Sequence, residues 1–205
     1  MTISTEKHWE NTSKAQESNT VSWYQETCST TLDILKELKL DTDSAIIDVG
    51  SGTTLLIDSL IKIGLKNITA LDISNTALSK AKKQLGKNAD QINWINADIT
   101  KWSPDQTYDV WHDRAVYHFL VNEPDRKAYI NTLKNTLKLG GSLIISSFGL
   151  EGPEKCSGLP VRRHSPEMFD EELGPSFKRI QCTHEDHQTP TGSNQRFIFC
   201  RYERL

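Results

Sequence analysis

Four short apolar runs each end in residues able to bind a ligand or move a proton: Asp48-Val-Gly50-Ser51-Gly52, Asp72-Ile73, Asp98-Ile99 and His112-Asp113-Arg114. A glycine-rich turn lets a ligand come close to the backbone, because no side chain holds it off. An acid after the second run can accept both hydroxyls of a ribose. An acid after the third can accept an adenine amino group, with Ile73 or Ile99 against the ring. Together these residues describe an adenosine site. The fourth run would bring His112, Asp113 and Arg114 to the reacting end of that ligand. There a carboxylate can orient an amine or help take its proton. A histidine titrates near neutral pH, which suits a base.

The elements that position these groups follow from the hydrophobic pattern. Residues 45–49, 68–71, 92–95, 108–112 and 142–146 read as strands. Helical spacing over 53–63, 76–85 and 125–137 separates them, and further helices are expected over 29–40 and 166–173. Apolar strands alternating with helices imply βαβ units and a parallel sheet covered on both faces. Residues 177–184 and 195–202 have too short a link for a helical crossover, so they should pair antiparallel. The expected fold is α/β: a doubly wound, Rossmann-like, mostly parallel seven-stranded sheet with an antiparallel last strand. Such sheets bind ligands beyond the strands' carboxyl ends, where strand order reverses. All four acidic positions stand at such ends.

Residues 1–28 are mostly polar and read as an N-terminal arm or lid on a domain spanning 29–205. Trp9 reads as an anchor for it. Trp23 and Tyr24 either anchor the arm or close over the ligand mouth.

Composition narrows the partners. In 205 residues, 24 basic and 27 acidic side chains leave a net charge of −3. That gives no whole-surface attraction for nucleic acid or anionic lipid. No apolar run approaches the ~20 residues that span a bilayer. The first twenty residues lack an apolar segment of signal type, so a cytoplasmic location is expected. The four cysteines form no CxxC and read as reduced thiols. Cys156 is expected in a loop on the ligand side. No metal-ligand spacing is evident, so no metal is expected. The expected partner is a small-molecule acceptor or else a protein substrate, without nucleic acid or membrane, on a monomer or weak dimer.

The ligand class follows from what the turn lacks. A dinucleotide fingerprint needs a third glycine where Leu55 stands, and a phosphate loop needs Gly-Lys-Ser/Thr, which is absent. Asp48, beside the turn, opposes phosphate and suits a cationic or amine-bearing ligand. S-adenosylmethionine (SAM) has an adenosine, a sulfonium and an α-amino group, and no phosphate. The residues therefore favour SAM over a nicotinamide dinucleotide. Aromatics such as Trp23 and Tyr24 could also stabilise a sulfonium through their ring faces.

Ile46-Ile-Asp-Val-Gly-Ser-Gly52, Leu71-Asp-Ile-Ser74, Asn96-Ala-Asp-Ile99, Tyr108-Asp-Val-Trp-His-Asp-Arg114 and Leu137-Lys-Leu-Gly-Gly141 occur in that order. This series resembles the motif order of class I SAM-dependent methyltransferases. The resemblance implies that Gly50 and Gly52 line the methionine part, Asp72 binds the ribose, and Asp98 with Ile99 holds the adenine. Trp111-His-Asp-Arg-Ala115, followed by Asp125-Arg126 and Tyr129, is similar to thiopurine S-methyltransferase-like proteins and to a group of small protein-lysine methyltransferases. Gly152-Pro153 favours the first comparison. The resemblance implies methyl transfer to a small-molecule sulfur or nitrogen acceptor, with protein lysine as the alternative. Asp113 and Arg114 either meet that acceptor or form a buried ion pair or backbone clasp. His112 and His118 are bases or structural residues. A catalytically silent SAM-binding module and a nicotinamide-dependent oxidoreductase are the competing readings from other classes.

Overall fold

The computed structural model describes residues 4–15, 24–25, 28–52, 55–190 and 192–205. Trp23 lies outside the described residues.

Five parallel strands carry the first part of the sheet: β1 (Ala45–Val49), β2 (Asn67–Asp72), β3 (Ile92–Asn96), β4 (Tyr108–Arg114) and β5 (Leu137–Phe148). Residues 155–156 and 159–160 form a separate small hairpin, β6 (Lys155–Cys156) and β7 (Leu159–Pro160). The last strands are β8 (Phe177–Gln188) and β9 (Asn194–Arg204). Sheet order is β3-β2-β1-β4-β5-β9-β8, with β9 antiparallel to both neighbours. The doubly wound α/β fold is therefore as expected. Strand order reverses between β1 and β4, the crevice where such sheets take ligands.

Helices cover both faces: α2 (Ser29–Lys36) and α3 (Leu55–Lys62) on one side, α5 (Glu123–Thr136) and α6 (Pro166–Leu173) on the other. Ile34, Leu35, Ile57 and Leu60 meet Ile46, Val110, Phe148 and Phe199 on the first face. Tyr129, Leu133, Phe169 and Leu173 meet Trp111, Leu143 and Tyr202 on the second. Every residue of β1 is buried, so its apolar run carries no alternation. Helix α4 (Asn75–Leu85) is capped by Ser74, whose hydroxyl accepts from the Ala77 amide.

Several boundaries differ from expectation. The helix expected over 29–40 stops at Lys36, and the next turn tightens as Glu37 and Leu38 donate to Ile34 and Leu35. Leu38 and Leu40 still pack on the core, which kept the helical period alive in the sequence. Strand β5 starts at Leu137 and runs through Gly140-Gly141, because the register with β4 shifts between Tyr108 and Val110. The arm contains an unexpected helix, α1 (Thr5–Ala15), with no fully buried residue.

One expectation is corrected outright. Cys182 and Cys200 are register partners on β8 and β9 and are joined by a disulfide. The four cysteines are therefore not all reduced. Their spacing follows no motif, and only strand pairing sets them face to face. Cys28 and Cys156 are buried thiols. Among the described residues, no helix is long and apolar enough to cross a membrane.

Candidate functional site

The turn after β1 is tied to β2: the Gly50 and Ser51 amides donate to the Leu71 carbonyl at 2.7 and 3.1 Å. Gly50 adopts φ +70°, and a Cβ there would lie 2.1 Å from Val116 Cγ2. Only glycine meets both conditions. Gly52 is also left-handed, at φ +51°. The Ser51 hydroxyl is buried without a hydrogen-bond partner among the described residues.

Asp72 closes the turn from the other side. Its Oδ2 accepts from the Gly52 amide at 2.9 Å and its Oδ1 from the Ser74 amide at 2.8 Å. It thus leads into α4 while fixing the glycine turn. Burial raises its pKa to about 6, against the lowering effect of the Ser74 and Gly52 amides. Asn96 donates to the carbonyls of Asp72 and Ile73, both at 3.0 Å, and so registers β3 against this corner. Asp98 accepts from the Thr100 amide and hydroxyl and pairs with Lys101 at 3.0 Å. Burial pushes its carboxyl up, but the Thr100 and Lys101 contacts outweigh that and hold it below its ordinary range.

Six of the expected residues border one cavity of ≈ 180 Å³, and Ser51, expected with them, is buried and does not. Gly50, Gly52, Asp72, Ile73, Asp98 and Ile99 all line it. Of the reacting-end residues only Arg114 does, beside Ala115, Val116, Phe119 and Cys156. Helix α1 roofs it with Thr5, Trp9, Thr12 and Ser13.

The remaining expected residues stand elsewhere. Asp48 and His112 are register partners on β1 and β4, with His112 Nδ1 2.6 Å from Asp48 Oδ1. The other ring nitrogen meets Thr31 Oγ1 of α2 at 3.1 Å. This buried chain does not line the cavity. Tyr24 is half-buried and is not among the lining residues.

Asp113 belongs to the backbone. It is fully buried and accepts from the Val116 amide at 2.8 Å, the Tyr117 amide at 3.1 Å and the Tyr129 hydroxyl at 2.7 Å. Burial lifts its pKa to about 6. The clasp reading thus replaces the acceptor-contact reading. It holds a turn in which Ala115 takes φ +69°, costly for a residue with a side chain. Tyr129 also accepts from Trp111 Nε1 at 2.8 Å. Tyr129→Phe should therefore lower unfolding stability by about 1–3 kcal/mol, since two buried partners lose their match. Urea denaturation checks this, and an unchanged midpoint would refute the clasp's contribution.

Arg114 extends over the Phe197 ring, 5.1 Å from its centroid. Burial lowers its pKa, while the nearby Glu185 carboxylate opposes the fall. His118 is fully buried, and its ring has no hydrogen-bond partner among the described residues. Burial, with lesser contributions from His164 and Arg114, pushes its pKa down to about 3, so it is neutral at pH 7 and a poor base. Among the described residues, no group of three or more His, Cys, Asp or Glu could hold a metal.

Sequence reasoning missed the roof. Trp9 packs edge-on against Phe119, centroids 4.9 Å apart, and both line the cavity. Glu10 accepts from the Ser74 hydroxyl at 2.9 Å and the Thr76 amide at 3.1 Å, completing the start of α4 from a distant segment. The Thr76 hydroxyl and amide are the chief causes that hold Glu10 near pKa 2. Lys80 donates to the Ser13 carbonyl. The one sequence signal was Trp9 in an otherwise polar stretch.

A family model described as "Methyltransferase domain" matches residues 46–141. Malonyl-[acyl-carrier protein] O-methyltransferase 2 of Ilyobacter polytropus is 30% identical over 105 residues, 51% of this chain and 39% of that protein. EEF1A lysine methyltransferase 2 of Mus musculus is 26% identical over 152 residues, 70% of this chain and 60% of that protein. The chain thus spans less than two thirds of either relative. The solved N-methyltransferase NodS of Bradyrhizobium japonicum, in complex with S-adenosyl-L-homocysteine, superposes with TM-score 0.74 at 15% identity, covering 98% of this chain and 99% of that one. At that identity the likeness is one of fold.

Proposed function

The chain carries a class I SAM-dependent methyltransferase domain with SAM as its cofactor, and on that premise we propose that it methylates a small-molecule sulfur or nitrogen acceptor. The observation that carries this reading is one cavity running from Asp72 and Asp98 to Arg114 and Cys156 beneath α1. A roofed crevice suits a small acceptor better than a protein surface. Protein lysine is the second reading, favoured by the likeness to the mouse relative.

The residues present fit the cofactor. Asp72 is the acceptor for the ribose hydroxyls, and Asp98 with Ile73 and Ile99 brackets the adenine. Gly50 and Gly52 line the methionine part, with a backbone that a Cβ at Gly50 would block, and Ser51 lies between them, off the lining. Asp48 acts from behind the turn, held by His112 at 2.6 Å. SAM supplies a methyl group already activated by its sulfonium. The protein's part is therefore alignment and exclusion of water. Arg114, Val116 and Phe119 form the wall that meets the acceptor.

Residues 1–28 act as a lid, with Trp9 as its inner face and Glu10 as its latch. Glu10→Ala should cut cleavage protection of the arm by S-adenosylhomocysteine severalfold, since Glu10 ties α1, which has no fully buried residue, to the start of α4. Timed proteolysis checks this, and equal protection in both proteins would refute the latch. For the activity itself, calorimetry with SAM, S-adenosylhomocysteine and NAD separates the ligand classes. A radiolabelled-methyl screen of thiols, amines and whole lysate then tests the acceptor. SAM binding without transfer to any acceptor would point to a silent module.

A further inference from the structure

Arg126, on the first turn of α5, grips the backbone beside the cavity. Its Nη1 donates to the carbonyls of Leu120 and Val121 at 3.0 and 2.8 Å. Its Nε lies 3.3 Å from Glu172 Oε1 on α6, and both side chains are largely buried. Glu172 also accepts from the Tyr117 hydroxyl at 2.6 Å and from Arg162 Nε at 2.9 Å. The Arg162 amide in turn donates to the His118 carbonyl at 2.7 Å. Residues 117–121 are thus held from outside by α5, α6 and the chain after the β6–β7 hairpin. The same stretch presents Phe119 and Leu120 to the cavity, and Phe119 bears Trp9 of the roof. Burial alone would raise the pKa of Glu172, but His164 and Tyr117 hold it to about 2, so the brace stays ionised through neutral pH.

We propose that Arg126, braced by Glu172, is a positioning residue for methyl transfer: it fixes the Phe119–Leu120 edge of the cavity so that the acceptor lies in line with the SAM methyl group. This rests on the methyltransferase reading above and deepens it. In that step the acceptor atom bonds to the methyl carbon, the carbon–sulfonium bond breaks, and its electron pair stays on the departing sulfur. Any acceptor proton leaves to solvent. A misplacement of about 1 Å can cost such a step about a hundredfold. Arg126 itself does not line the cavity and acts only through the two carbonyls. Packing does not require it there, because a buried ion pair contributes little net stability beside an apolar pair of like volume. What an apolar pair cannot do is hold two carbonyls in a fixed direction. The cofactor half is tied independently: the glycine turn to Leu71 and Asp72, and Val116 to Asp113. Loosening residues 119–121 should therefore reach the acceptor and spare the cofactor.

The test measures labelled-methyl transfer from SAM to thiophenol, benzylamine and whole lysate, and carries the acceptor with the fastest wild-type rate into the variants. Arg126→Gln removes the grip. Arg126→Lys keeps a cation beside Glu172, which guards against simple unfolding, but lacks the planar fork that serves carboxylate and carbonyls together. Across a dilution series of the acceptor, both variants should lose about tenfold or more in rate, through a lower kcat or a higher acceptor KM. The KM for SAM and the calorimetric affinity for S-adenosylhomocysteine should stay within about twofold of wild type. Amide exchange should quicken at Leu120 and Val121 and not at Gly50 and Ser51. Wild-type transfer rates in both variants, full rescue by Arg126→Lys, or cofactor affinity falling in step with transfer would overturn the proposal. No transfer by the wild-type protein to any of the three would instead point to a silent module and remove the premise on which the proposal stands.

Discussion

Gly50→Ala is expected to abolish measurable SAM binding and to destabilise the fold by about 2–4 kcal/mol, from left-handed strain and overpacking together. The reason is local and steric. The residue sits at φ +70°, and the added Cβ would lie 2.1 Å from Val116 Cγ2. Val116 cannot simply rotate away, because β-branched side chains have few rotamers. Its backbone is also held by the Asp113 carboxylate at 2.8 Å. Relief must come from the glycine turn, whose amides are tied to Leu71 and whose far end is tied to Asp72. Calorimetric titration and urea denaturation read the two effects. Wild-type affinity in a folded Gly50→Ala protein would show that this turn does not meet the cofactor.

The second large effect concerns Asp72. Asp72→Ala should weaken SAM binding by about 1–3 kcal/mol, the cost of leaving buried partners unmatched. The pH dependence is more diagnostic. The folded pKa of Asp72 is raised by burial to about 6 from 3.8. A carboxylate that accepts ribose hydroxyls must be ionised. SAM affinity should therefore be level above pH 6 and fall by about tenfold per unit below it.

Ligand-free stability should move in the opposite sense. Between 3.8 and about 6 the folded state binds more protons at Asp72 than the unfolded chain does. Asp113 behaves alike, again through burial. Both groups therefore make the apoprotein more stable as pH falls through 6. Below about 4.5 Glu172, held near 2, works against them. Burial pushes its carboxyl up, but His164 and Tyr117 more than compensate, and that stabilisation disappears as pH falls toward 2. Buried His118 also works against them, since the unfolded chain takes up its proton below 6.5 while the folded protein does so only near 3. The cofactor isolates the Asp72 contribution: SAM should raise the melting temperature more at about pH 7 than at about pH 5. An equal rise at both pH values would contradict the Asp72 shift.

Much of the fold was legible because its central strands β1 and β2 are buried on both faces and read as nearly unbroken apolar runs. The glycine turn, Asp72 and Asp98 were legible for a related reason: each stands at a strand's carboxyl end, a position fixed by topology alone. The reacting end was less readable. Alternation along β4 sends Asp113 into the core and leaves Arg114 on the cavity, but polar side chains fall on both faces of this strand (Asp109 and Asp113 on one, His112 and Arg114 on the other), so the sequence gives no cue to which side is which. Two further features depended on long-range register. The Cys182–Cys200 pair needs the β8–β9 pairing, and Glu10 reaches helix α4 from a segment with no apolar stripe of its own. Neither leaves a local pattern.

The contact between Gly50 and Val116 has a thermodynamic corollary. The space a side chain would occupy on the first turn is filled by a side chain of the second, so neither can shift without the other. A methyl acceptor that presses on Val116 will be felt as a change in SAM affinity, and by linkage SAM will alter acceptor affinity by the same factor. Titrating either compound in the presence of the other measures that reciprocal factor, and its sign tells whether the two ligands enter in a preferred order.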